Sequence, residues 1–144
     1  MAITHYSDKQ KGITIIVWDG TVVWDDWLEH VQELVIDPHW RSLPRFIADL
    51  RSVTDTSAIQ EKELELAAIA IAENRAALAM KTGAVVASDE FWQAQRFGKL
   101  IEGFGTSTIV FNTLETACVF LGLDPIETSQ SIEQLRSQLR RKGS

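Results

Sequence analysis

The sequence predicts an α/β fold: a mixed, mostly parallel sheet of four to five strands that opens with an antiparallel hairpin and is packed by about five helices. Three observations carry this expectation. Short apolar runs rich in β-branched residues recur along the chain and read as strands. Segments with apolar residues at helical spacing lie between them, and alternation of this kind implies right-handed crossovers and parallel pairing. At the start, a short strand, a polar turn and a long strand follow one another directly, which is the order of a hairpin.

Ala2–Tyr6 is an edge strand, and Asp8–Gly12 is the turn. Gly12–Asp19, GITIIVWD, is apolar or β-branched at nearly every position, so both of its faces should be covered. Gly20 is expected to break it. Trp24, Trp27, Leu28, Val31, Leu34 and Val35 then share a helical stripe, with Asp25 and Asp26 at its positive end. Asp37-Pro38 ends this helix, because the residue before proline avoids the α region.

Arg45–Leu50 is the next strand, and Arg51–Thr56 reads as a polar loop. Ser57 and Gln60 fit a capping box for a helix running from Ala58 to about Leu78, with Ile59, Leu66, Ile69, Ala70 and Ala77 on its inner face. Lys81-Thr-Gly83 is expected to close that helix. Ala84–Ala87 is a short buried strand. Ser88 caps a helix from Asp89 to Glu102 that turns Phe91, Ala94, Phe97 or Gly98, Ile101 and Phe104 inward, and Gly103 and Gly105 stop it. Thr108–Phe111 is a strand. Asn112 and Glu115 fit a second capping box, for a helix to Leu121 that Gly122 ends. Asp124, Pro125 and Glu127 open the C-terminal helix, 124–141. Its apolar stripe of Ile132, Leu135 and Leu139 is thin, so it packs on the second face of the sheet or pairs with a partner.

The 144 residues fit one domain, 1–144, long enough for a real core. A net charge of −6 disfavours nucleic acid, whose phosphates need a basic footprint. Arg136, Arg140, Arg141 and Lys142 cluster at a helix end, where positive charge suits the dipole. The lone Cys118 sits among apolar residues as a buried thiol. No run reaches the roughly 20 apolar residues of a membrane span, and no signal peptide opens the chain, so a cytoplasmic location is expected.

No cofactor or metal is expected. His5, His30 and His39 share no ligand spacing, and neither a Gly-x-Ser-x-Gly elbow nor a dinucleotide glycine turn is present. The candidate working stretch is Pro44–Gln60, where strand, loop and helix start meet. Asp49, Arg51, Asp55 and Thr56 offer a docking surface there, and Ser57 is either a helix cap or an acceptor of phosphate. Five tryptophans are unusual for this length. Trp24 and Trp27 share a helix face and, with Phe91, could line an apolar pocket or an interface with a second copy.

This order of elements, with several of its local words, resembles the SpoIIAA-like family. That family belongs with the STAS domains and is related in fold to CRAL-TRIO lipid-binding proteins. The words are GITIIVWDG, Asp37-Pro38 ahead of Ala48-Asp49-Leu50-Arg51, Ala84-Val-Val-Ala87, Arg96-Phe97, and Ile109-Val-Phe111 followed by Leu114-Glu115-Thr-Ala117. They run from about Gly12 to Gly122. In STAS anti-anti-sigma proteins an Asp-Ser-Ser-Gly stretch opens the helix after this strand, and its second serine is phosphorylated. The counterpart here is Asp55-Thr56-Ser57-Ala58, so the resemblance implies Ser57 as phosphoacceptor. It implies a non-enzymatic regulatory module that docks on a protein partner or on itself. The alternative expectation is a carrier of a small apolar or lipid ligand.

Overall fold

The structure is a computed structural model, and it describes residues 2–74, 80–87 and 92–142. Strands β1 (Ile3–Asp8) and β2 (Ile13–Thr21) form the opening hairpin, paired antiparallel from Ile3 opposite Trp18 to Asp8 opposite Ile13. The Asp8 carboxylate ties the turn by accepting from the backbone N–H groups of Gln10 and Lys11. Strands β3 (Arg45–Asp55), β4 (Met80–Val85) and β5 (Thr106–Phe111) then add in parallel, so the order in the five-stranded sheet is the order in the chain.

That order decides where the helices go. Each parallel strand is laid beyond the last in one direction, and right-handed crossovers then put every connecting helix on one face. Helices α1 (Trp24–Val35), α2 (Glu61–Asn74) and α3 (Trp92–Glu102) share that face. Helices α4 (Leu114–Leu121) and α5 (Pro125–Lys142) follow the last strand and cover the other. Two apolar layers result. One joins Ile16, Trp18 and Leu50 to Trp27, Leu34 and Leu64. The other joins Ile15, Val17 and Ile47 to Leu121, Ile132 and Leu135. The thin stripe of α5 is therefore spent on the sheet.

The structure corrects several expected boundaries. Gly20 does not end β2. It takes φ +73, a conformation open mainly to glycine, at a shift in register where β2 continues to Thr21. This longer β2 pairs with Ser52, Val53 and Asp55, so the expected loop Arg51–Thr56 is mostly strand. Ser57 does not cap α2. The helix starts at Glu61 because the turn from Thr56 to Ile59 comes first, closed by a 2.9 Å bond from Ile59 N–H to the Thr56 carbonyl, with the Ile59 side chain fully buried. Gln60 precedes the helix, and its N–H reaches Glu63 Oε1 at 3.3 Å.

Lys81–Gly83 is not a helix terminus either, but lies inside β4. A side chain at Gly83 would stand 3.2 Å from Leu121 Cδ1, so the glycine lets α4 approach the sheet. The inner face of α2 is Leu64, Ala67 and Ala68, while Leu66 and Ile69 point outward. Phe104 is 51% exposed because it falls in the turn after α3. Thr113, rather than Asn112, caps α4 through its hydroxyl. The expected cap at Ser88 and the inward Phe91 and Ala77 lie outside the described residues.

Candidate functional site

The first face of the sheet and the helices α1, α2 and α3 that cover it do not close completely on one another. They leave a cavity of about 100 Å³ in the first apolar layer. Its wall is aromatic and aliphatic, with Trp18, Trp27, Trp40, Phe46 and Phe97 among its members. Trp27 is the hub of the rings: Trp18, Trp24 and Phe97 meet it edge-on, with centroids 5.3, 5.7 and 5.2 Å away. Such edge-to-face pairs hold flat rings at fixed angles, and rigid rings leave gaps that flexible chains would fill. Small residues add to the gap, since Ala48, Ala84, Ala94 and Gly98 also line it.

Among the described residues, His30, Thr56, Thr82, Gln93 and Thr108 interrupt this wall with polar groups. Gln93 is a strut, donating from Nε2 to the Thr56 carbonyl at 3.2 Å and so tying α3 to the turn after β3. Thr82 and Thr108 are register partners on β4 and β5 and share the cavity face. Both hydroxyl oxygens are buried, and neither has a hydrogen-bond partner among the described residues.

His30, 3% exposed, begins a chain of hydrogen bonds that leads away from the cavity. Its Nε2 lies 3.0 Å from His5 Nδ1, and His5 Nε2 lies 3.0 Å from Asp37 Oδ2. Ser7 donates to the same carboxylate oxygen at 3.1 Å. Burial pushes the Asp37 carboxyl up, but the N–H of His39 and the hydrogen bonds of His5 and Ser7 outweigh it and hold it low. The carboxylate can only accept, so His5 Nε2–H donates to Asp37, and the next hydrogen bond runs between His5 Nδ1 and His30 Nε2. Burial, and after it the charge of His5, lowers His30 from 6.5 to about 3. The cavity therefore meets a neutral imidazole. This hydrogen bond to His5 fixes the orientation of the His30 ring at the cavity wall.

The residues named from the sequence divide between the two faces. Trp27 lines the cavity, and Trp24 packs against the same layer from its rim. Phe91 lies outside the described residues. Asp49 is 0% exposed in the middle of β3 and faces α5, where Arg51 grips it through Nε and Nη2 at 2.9 Å each and Arg136 reaches Oδ2 at 2.8 Å. Burial pushes its carboxyl up, and these partners more than offset that, leaving it below the usual carboxylate range. Arg136 also donates to Ser52 and pairs with Glu133, and Arg140 pairs with Asp19. These basic residues of the last helix thus clip it to the sheet. Asp55 and Ser57 are exposed together at the end of β3, where Asp55 Oδ1 accepts from the Ser57 N–H at 2.8 Å, while Thr56 between them is buried.

Among the described residues no cluster of three or more His, Cys, Asp or Glu side chains is arranged to hold a metal ion. No described helix is long and apolar enough to cross a membrane. No family model matches the chain, and no curated protein matches it in sequence.

Proposed function

We propose that this chain is a non-enzymatic binding module of the SpoIIAA-like, STAS-related kind, and that it takes a small apolar ligand into the cavity between the sheet and helices α1, α2 and α3. The cavity carries this reading. Its volume is about 100 Å³, against roughly 150 Å³ for an engineered apolar cavity that stays dry and binds benzene. A space of this size suits a ring or branched chain of a few heavy atoms rather than a long acyl chain. Its rigid aromatic wall gives area without side-chain ordering, which favours binding.

A second reading is favoured by the exposure of Asp55 and Ser57 side by side at the end of β3. This corner is the counterpart of the STAS phosphoacceptor segment, and it suits a regulatory module whose docking on a partner is set by phosphate on Ser57. Thr56 would support that corner from below rather than touch the partner, since it is buried, and Asp49 is buried against Arg136 on the face of α5.

One preparation tests both readings. Protein purified from its own host cells is extracted with organic solvent and analysed by gas chromatography–mass spectrometry, beside Ala84→Val, whose added methyls occupy cavity space. The ligand reading expects a compound stoichiometric with the wild-type protein and lost from the variant. A compound carried equally by both proteins, or none in either, contradicts it. Intact mass of the same samples reads the second proposal, and Ser57 found unmodified throughout counts against it.

A further inference from the structure

The geometry points to the chemical class of the ligand: an uncharged, mostly apolar molecule with a single hydrogen-bonding group, seated on the hydroxyls of Thr82 and Thr108. This inference rests on the cavity reading. Thr82 is 6% exposed, and its Oγ1 and that of Thr108 are buried with no partner among the described residues. Buried hydroxyls are nearly always hydrogen-bonded, because leaving one unsatisfied forfeits its bonds to water with nothing in return. Both residues line the same cavity on adjacent strands, in direct register. Two other polar side chains of the wall are already engaged: Gln93 donates to the Thr56 carbonyl, and His30 is bonded to His5. The two threonine hydroxyls are places where a guest can find a bond.

The rest of the wall limits the guest further. Among the described residues no Lys, Arg, Asp or Glu lines the cavity, and His30 is held neutral. A carboxylate or ammonium would lose its hydration there and gain no counter-charge, so the guest is uncharged. Its remaining surface meets Trp27, Trp40 and Phe97 and is apolar.

The test uses two five-membered rings of similar size, pyrrole with one N–H donor and thiophene with none. Affinities are read from methyl NMR shifts of Ile16 and Ile71, which line the cavity. In the wild type, the pyrrole-to-thiophene affinity ratio should exceed that in Thr82→Val or Thr108→Val by about five- to tenfold, the effect of one hydrogen bond. The near-isosteric valines keep the shape and remove only the hydroxyl. A ratio unchanged in both variants, with thiophene still bound, overturns the inference and leaves the cavity reading standing. Failure of both rings to bind the wild type removes the cavity reading, and this inference with it.

Discussion

At the scale of single residues, the decisive group is His30, which no sequence pattern singled out. It lies 25 residues from His5 in the chain, and Asp37 lies 32 residues from His5. Local spacing therefore carried no trace of the chain they form. Helical periodicity placed Trp27, Val31 and Leu34 inward, and His30 falls between them on the same buried stripe. A polar residue on such a stripe was the available signal. Its consequence is pH-dependent stability. The folded state lowers His30 from 6.5 to about 3, so between these values the unfolded chain binds the extra proton. Stability contributed by the neutral ring is fully present above 6.5 and is lost as the pH falls towards 3. In chemical denaturation, the slope from this one group approaches about 1.4 kcal/mol per pH unit inside that window. His30→Gln should flatten the curve there. A curve of unchanged slope would mean that the ring is already charged in the folded protein.

At the scale of elements, the alternation of strands and helices was readable because each type has its own period and its own terminating residues. The ends of elements were not, and the physical reasons differ. The segment Arg51–Asp55 is polar and looked like a loop, yet it is strand because β2 runs on beside it. Gly83 looked like a helix stop, yet it makes room for α4. Both outcomes depend on neighbours distant in sequence. The same holds for the docking of α5, whose thin apolar stripe is reinforced by Arg136 on Asp49. Removing one partner of a buried ion pair strands the other charge and costs about 3–5 kcal/mol. Asp49→Ala should therefore lower unfolding stability by about that amount in urea, whereas Arg51→Gln should cost about 1 kcal/mol, because Arg51 is partly in water. Equal losses from the two substitutions would show that Arg136 is not the partner that matters.

At the scale of the whole molecule, the chain-ordered sheet accounts for where the candidate site lies. A doubly wound sheet opens a crevice where its strand order reverses. Here the order β1-β2-β3-β4-β5 never reverses, so the expected site beyond the strand ends has no such crevice behind it. With three crossover helices on one face, the gap falls between layers instead, where rigid rings and small residues meet. The aromatic content of the sequence pointed towards a pocket or an interface, and Trp27 lies in the wall of the cavity. Its closure by Trp40, Phe46 and Phe97, and the burial of the Thr82 and Thr108 hydroxyls without a partner among the described residues, depend on the packing of the layers and could not be read from the chain. The most direct measurement is a methyl-resolved NMR titration with thiophene. A ligand-binding cavity gives saturable shifts for Ile16, Leu64, Ile71 and Ile101, which line it, and none for Ile13, Leu121 or Leu135 on the opposite face. In Ala84→Val the shifts should vanish. Shifts confined to the exposed Ile36, Val119 and Ile126, or no saturable shift at all, would contradict it.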